Sequence, residues 1–215
     1  MPELGKIQKP NKDRYANKKR LIFVPIFIIP TSIYENDSEN LFKKYWDEVA
    51  DAINKLETSL GSINTIFHEM NSKTGEEGIK IIEDLNPTGS DFIKIFHNSG
   101  TLISEFENDE LIAETMDWQR ISSIGLLSKN AKEITMNEYT NSIQNRNKSL
   151  IDKIENELNT GENGILFMRD DHGLQFSNEV EVFYVSTTVI NELQNWLGQQ
   201  LNQFMNPPTG EATQQ

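Results

Sequence analysis

Two runs of apolar residues, at 21–29 and 164–168, constrain the fold of this chain more than any other feature. Such runs are typical of β-strands that are covered on both faces, as in parallel sheets. Shorter β-rich runs lie at 63–67, 101–106 and 180–185. Segments with helical apolar periodicity separate these runs, and this alternation is typical of α/β proteins. We therefore expect an α/β fold with a mixed or mostly parallel sheet of about four to five strands, flanked by helices.

The segments between the expected strands carry apolar residues at helical spacing. This spacing predicts an amphipathic helix over 35–60 and another over 76–85. A much longer helix is expected near 128–158, with Ile134 on its inward stripe, although its middle at 141–147 is polar. A helix of this kind either projects from the body or packs only at its ends.

Charge is distributed unevenly along the chain. The sequence has 20 Lys and Arg residues against 33 Asp and Glu residues, which gives a formal net charge of −13. Residues 1–20 hold seven basic and two acidic side chains, so the rest of the chain carries a net charge of −18. We expect a flexible basic arm at 1–20, a single α/β domain at 21–205 and a disordered tail at 206–215. The arm is interpreted first as a solvated tail, and docking on nucleic acid, on anionic lipid or on the acidic body is the alternative.

Composition also excludes several classes of protein and partner. The chain has no cysteine, which excludes a disulfide scaffold, a thiolate zinc site and a cysteine nucleophile. The acidic body is a poor partner for nucleic acid, so a protein partner is expected, with a homo-oligomer left open. No run reaches the roughly 20 apolar residues of a membrane span. The basic start and the run at 21–29 resemble a signal peptide, but no small-x-small cleavage pattern follows, so we expect a cytoplasmic location.

Candidate chemistry centres on two histidines at the ends of expected strands. His68 and Glu69 follow the second expected strand, and Asp171 and His172 follow the fourth. Ligands bind beyond the carboxyl ends of strands in open α/β sheets, so these side chains converge if the two strands are parallel neighbours. Imidazole and carboxylate together suit a general base or a divalent metal site. The competing and favoured interpretation is an ordinary turn, in which aspartate bonds the backbone and Gly173 supplies a positive φ.

Charged residues elsewhere supply further candidates. Arg146 lies in the polar middle of the long helix, where it can clamp an anionic substrate or pair with acidic neighbours. The acidic cluster between Glu105 and Glu114 is interpreted first as a solvated helix start, with Glu105 or Glu107 as an alternative partner for the histidines. His97 stands near a helix C-terminus and is interpreted as structural.

The order of these residues along the chain resembles a known pattern. An early strand-end His68-Glu69, a later Arg146-Asn147 on a helix and a strand-end His172 are similar in layout to TraB/Tiki-type and erythromycin-esterase-type hydrolases. The Gly-x-x-His motif that accompanies the early site in those families is absent, because Gly61 lies seven residues before His68. The resemblance covers a handful of residues and implies hydrolase chemistry.

Two functions are consistent with these patterns. The first is a non-catalytic binding or regulatory module that uses the long helix or the basic arm, and the absence of a complete catalytic motif favours it. The alternative is a small hydrolase-like enzyme with a pocket at the strand ends. In that enzyme His172 and His68 act as bases or metal ligands. Glu69 and Asp171 orient them, and Arg146 binds the charge of the substrate. No cofactor is assigned to either function.

Overall fold

The computed structural model describes residues 15–205, so the expected tail at 206–215 and the first 14 residues of the expected arm lie outside the described residues. This part of the chain forms five strands and seven helices, and helices stand between successive strands except between the last two. The strands are β1 (Lys19–Pro25), β2 (Thr65–His68), β3 (Leu102–Ile103), β4 (Asn163–Met168) and β5 (Val180–Tyr184). The helices are α1 (Thr31–Tyr34), α2 (Leu41–Leu60), α3 (Gly75–Leu85), α4 (Ser90–Asn98), α5 (Asp109–Ser123), α6 (Lys129–Glu157) and α7 (Ile190–Met205).

The five strands form one parallel sheet with the order β3-β2-β4-β1-β5. Phe23 of β1 pairs with Leu166 of β4 and with Tyr184 of β5, while Ile66 of β2 pairs with Ile165 of β4. β1 and β4 are interior strands and are buried over nearly their whole length. This double coverage explains why their sequences are apolar runs. The expected α/β class is confirmed, and the sheet is parallel throughout.

Side chains alternate between the two faces of the sheet and build two hydrophobic clusters. Ile22 and Val24 of β1 point to the first face, where they pack with residues of α2, α3, α4 and α7. Leu21 and Phe23 point to the second face, where they pack with the C-terminal half of α6 and with Leu174 after β4. The alternation follows from the two-residue period of a strand. The domain therefore has three layers with the sheet in the middle.

The chain runs from the two neighbouring strands β2 and β4 toward opposite edges of the sheet. Helices α3 and α4 lead from β2 outward to β3 over the first face, whereas the segment after β4 crosses the second face toward β5. The gap between the carboxyl ends of β2 and β4 is consequently a topological switch point. Open α/β sheets bind ligands at such points, beyond the strand ends.

Two boundaries differ from the sequence-based expectation. β1 begins at Lys19 and the side chain of Arg20 is buried, so the last two residues of the expected arm belong to the sheet. The helix expected over 35–60 is continuous only from Leu41. Both carboxylate oxygens of Asp37 accept hydrogen bonds there, from the backbone N–H groups of Leu41 and the next residue, at 2.9 Å each. These bonds satisfy N–H groups that a helix start leaves unpaired, and so they define where α2 begins.

The long helix expected near 128–158 is observed as α6, and it packs on the sheet only through its C-terminal half. Leu150 and Ile154 are buried there against the second face of the sheet. The polar middle predicts a helix that projects or packs only at its ends, but this middle also contacts the body, through hydrogen bonds of Arg146 and Asn147. No helix in residues 15–205 combines the length and the apolarity that a membrane span requires.

The first half of α6 lies against α5 instead of the sheet. Its buried residues are Thr135 and Ser142, whereas Ile134, which was expected to point inward, is 49 % exposed. Helix α5 has no buried residue of its own. The two helices form a hairpin, residues 109–157, and the outer part of this α5–α6 hairpin stands off the sheet. Helical periodicity predicts the helix α6 but not the element against which it packs. The short connection at 124–128 folds α6 back along α5, and this pairing is a tertiary contact.

Candidate functional site

The switch point between β2 and β4 holds a buried glutamate paired with an arginine. Glu69 directly follows β2 and is 1 % exposed, and Arg169 directly follows β4. The backbone N–H of Arg169 donates to Oε2 of Glu69 at 2.9 Å, and its guanidinium Nη2 donates to Oε1 at 2.8 Å. Because His68 pairs with Phe167 in the parallel register, the residues that follow the two strands emerge close together. The register of the sheet therefore creates this ion pair.

The long helix adds a second arginine, which connects the pair to a second glutamate. Nη2 of Arg146 lies 3.4 Å from Oε1 of Glu69, and its Nε donates to Oε2 of Glu107 at 3.0 Å. Nη2 of Arg146 also donates to Oε1 of Glu107. Glu107 lies just before α5, is 3 % exposed, and accepts a further bond from the backbone N–H of Met70 at 3.1 Å. Glu69, Glu107, Arg146 and Arg169 are called the strand-end network below.

The strand-end network holds two negative and two positive charges, so its buried charges compensate one another. Burial raises the pKa of Glu69, but the hydrogen bonds and charges of Arg169 and Arg146 together outweigh it and hold that pKa below the ordinary value of 4.5. Hydrogen bonding to Glu69 in turn holds the pKa of Arg169 above its ordinary value. Both oxygens of Glu69 accept bonds from Arg169. Glu69 is therefore an ionised anchor for the two arginines and not a free proton acceptor.

His172 lies near this network with a defined tautomer. Its Nδ1 accepts a hydrogen bond from the backbone N–H of Leu174 at 2.8 Å, which assigns the ring proton of the neutral imidazole to Nε2. The ring packs on Phe23 of β1 with the ring centroids 4.9 Å apart, and Asn147 of α6 donates to the carbonyl oxygen of His172 at 3.2 Å. Burial lowers the pKa of His172, which favours the neutral form. In this arrangement His172 offers an Nε2–H donor to a ligand, since Nδ1 is already engaged.

The segment that follows Arg169 forms a turn. Residues 170–171 are in the turn, and Gly173 has a φ of 67°. This left-handed backbone suits glycine, as the turn interpretation of the sequence requires. Asp171 is exposed, so its carboxylate faces solvent at the edge of the site. The chain then crosses the second face of the sheet to β5, which pairs parallel with β1.

His68 lies on the opposite face of the sheet from this site. Its ring is fully buried and packs near Phe167, with the ring centroids 6.0 Å apart, in the cluster of the first face. Nδ1 of His68 lies 2.8 Å from the carbonyl oxygen of Glu69, and its Nε2 lies 3.5 Å from Nδ2 of Asn86. Burial lowers the pKa of His68 to about 4. Because successive strand residues point to opposite faces, His68 and the Glu69 side chain diverge.

The structure thus separates the five residues that the sequence nominates. Glu69 and Arg146 are in direct contact, and His172 contacts the residue that follows Arg146. Asp171 stands on the exposed turn, and His68 packs behind the sheet, so the two imidazoles do not converge. Among residues 15–205, no group of three or more His, Asp or Glu side chains is arranged to hold a metal ion. The catalytic roles of these residues stay predictions.

Two members of the strand-end network lie outside the nominated set. Arg169 directly follows the expected strand at 164–168, just as Glu69 lies at the end of the expected strand at 63–67. This shared strand-end position is the sequence signal for Arg169. Glu107 was considered as a partner of the histidines, but it pairs with Arg146. Both omissions have one cause: the partner of a charged residue depends on the order of the strands, which periodicity does not encode.

Comparisons of this chain with protein-family models, with curated proteins and with solved structures found no match. The likeness in residue order to TraB/Tiki-type and erythromycin-esterase-type hydrolases stays an expectation. What can be inferred about function therefore rests on the strand-end network and on the α5–α6 hairpin.

Proposed function

We propose that this chain is a non-catalytic binding or regulatory module that acts through its long helix. Helix α6 supports this proposal because it contributes Arg146 and Asn147 to the strand-end site, while its first half stands off the sheet beside α5. One continuous helix therefore joins a polar site at the switch point to an outward-facing surface.

The strand-end site offers hydrogen-bond donors to a small ligand. The side chain of Arg169 is 48 % exposed, and within residues 15–205 its Nη1 has no hydrogen-bond partner. Nε2–H of His172 is a second donor. A carbonyl or carboxylate oxygen is the ligand group that two such donors recognise best. The exposed carboxylate of Asp171 can accept from a donor on the same ligand, so we propose a small polar molecule as the ligand.

Binding is favoured over catalysis because the strand-end network is already satisfied internally. The oxygens of Glu69 accept from Arg169, and Nδ1 of His172 accepts from a backbone N–H, so neither group is free to take a proton. A general base needs an unoccupied lone pair within reach of the substrate. The proposal includes a protein partner, of which a second copy of this chain is one form, and a cytoplasmic location.

A thermal-shift screen of small carboxylic acids and amides tests the site. Compounds that raise the melting temperature of the wild type are expected to lose this effect in Arg169→Lys, because lysine keeps the charge but loses the planar fork. Arg120→Lys is the matched control, since Arg120 pairs with Asp117 on the exposed surface of α5. Ligand effects that are equal in both variants would contradict a site at Arg169.

The second candidate is the hydrolase-like enzyme, which the position of Arg169 and His172 at the switch point favours. Their donors could stabilise a developing oxyanion, with Asp171 as the exposed carboxylate. Turnover of p-nitrophenyl acetate separates the two candidates. We expect the wild type and His172→Ala to turn over this ester at the same rate. Turnover that is lost in His172→Ala and retained in His97→Ala would overturn the non-catalytic proposal.

A further inference from the structure

The tip of the α5–α6 hairpin, residues 118–132, exposes large apolar side chains. Leu127 is 99 % exposed and Ile124 is 70 % exposed, and both lie in the connection between the two helices. Gly125, with a φ of 68°, forms the bend between them. Contiguous exposed apolar groups mark sites of protein or membrane contact. The apex of the hairpin is therefore a candidate docking surface.

The charge of the hairpin tip is opposite to that of the rest of the chain. Residues 118–132 include Arg120, Lys129 and Lys132 and no acidic residue, whereas the whole chain has a net charge of −13. Asp117 and Glu133 flank the tip and form exposed ion pairs with Arg120 and Lys129, at 3.2 Å and 3.6 Å. Exposed pairs of this kind are weak, so the cations can exchange to another anion. The tip thus combines an apolar apex with cations immediately behind it.

Helix length separates the tip from the acidic body. Lys129 precedes Arg146 by 17 residues of continuous helix, which corresponds to about 26 Å along the axis. The Debye length in physiological salt is only about 8 Å, so the acidic groups of the body are screened at the tip. A surface that meets the tip therefore experiences the charges of the hairpin end itself, where Arg120, Lys129 and Lys132 outnumber the flanking Asp117 and Glu133.

We propose that the hairpin tip docks on an anionic lipid bilayer. This inference rests on the proposed binding function and adds a partner to it. An apolar apex backed by cations complements a bilayer interface, where acyl chains lie beneath anionic headgroups. Ile124 and Leu127 enter the interface, and Lys129 and Lys132 contact lipid phosphates. The contact is peripheral and reversible, since two side chains bury far less apolar surface than a spanning helix.

Vesicle flotation tests the proposal with the full-length protein. Vesicles with about 30 % phosphatidylglycerol are expected to bind the wild type at low salt, and pure phosphatidylcholine vesicles to bind it more weakly. The double variant Ile124→Ser/Leu127→Ser is expected to bind at least about tenfold more weakly. Lys132→Gln is expected to lower binding about fivefold. The matched control is Ile95→Ser/Leu102→Ser, which removes side chains of similar exposure, 62 % and 69 %, from α4 and β3.

The absence of cysteine allows a second readout of insertion. A polarity-sensitive dye on Ser123→Cys would be the single thiol label of the protein, at the end of α5. We expect a blue shift of its emission on anionic vesicles. The proposal is overturned if the wild type does not bind these vesicles, or if tip and control variants bind equally. It is also overturned if the tip drives dimer formation without lipid in sedimentation velocity.

The two proposals can fail separately. Loss of vesicle binding with an intact ligand response at Arg169 removes the lipid partner alone, because the tip lies far along α6 from the strand-end network. Histidine-dependent ester turnover contradicts the non-catalytic function even if the tip binds lipid. Unchanged melting temperatures of the tip variants, whose substituted residues are exposed, exclude misfolding as the cause of lost binding.

Discussion

Replacement of Glu69 by glutamine removes the negative charge on which Arg169 and Arg146 converge, and we expect it to destabilise the protein by about 2 kcal/mol. Removal of one partner from a fully buried ion pair costs about 3–5 kcal/mol. Two features of this site reduce that cost. The Arg169 side chain is 48 % exposed and can be rehydrated, and Arg146 remains paired with Glu107.

Urea unfolding followed by tryptophan fluorescence measures this change, because Trp46 is 8 % exposed in the core of the first face. A loss of 2 kcal/mol in a domain of this size also corresponds to a melting temperature lower by about 4–8 °C. The matched control is Glu179→Gln. Oε2 of Glu179 lies 3.8 Å from Nζ of Lys19, and the Glu179 side chain is 76 % exposed. Loss of its charge is therefore expected to lower the free energy of unfolding by less than about 0.5 kcal/mol.

The pH dependence of stability tests the same reasoning independently. The pKa of Glu69 is below its ordinary value of 4.5, so the unfolded chain binds the proton first as the pH falls. The stabilisation is therefore complete above pH 4.5 and is lost below it, and Glu69→Gln is expected to show a shallower loss in acid. Equal stability of Glu69→Gln and Glu179→Gln at pH 7 would refute the view that the strand-end network is a compensated buried cluster.

Three further predictions concern packing and titration. The pKa of His68 is about 4 in the folded protein and ordinarily 6.5, so stability is expected to fall by up to about 3 kcal/mol as the pH drops from 6.5 to 4. In urea unfolding at a series of pH values, His68→Gln should abolish this dependence. In the same assay Gly164→Ala is expected to destabilise the protein by about 1–3 kcal/mol, since a Cβ there would lie 2.9 Å from side chains on the second face. Gly198→Ala, which has open space around it on α7, should instead stabilise the protein by about 0.5–1 kcal/mol. Ile154→Ala should destabilise the protein by about 2–5 kcal/mol and Ile134→Ala much less, because only the second half of α6 packs on the sheet. If the two variants lowered the melting temperature by similar amounts, that would contradict a projecting hairpin.

The fold class could be predicted because it depends on local patterns. Apolar runs at 21–29 and 164–168 require coverage on both faces, and the helical periods between the strands supply the covering layers. The length of α6 also follows from its own sequence, whereas the burial of its polar middle, where Ser142 is 1 % exposed and Arg146 pairs with Glu107, does not. Glu69 and Arg146 could be nominated as site residues for a similar reason, because one follows an expected strand and the other stands alone among polar residues.

Which residues meet was decided only by the tertiary structure. Glu69 and Arg169 lie 100 positions apart in sequence, and Arg146 and Glu107 lie 39 apart. These pairs exist because β2 and β4 are parallel neighbours in register, and because α5 folds back along α6. The sequence by itself determined which segments become strands and helices, since that choice depends on the spacing of apolar residues within each segment. The partners of the charged residues depend on strand order and register, which no local spacing contains.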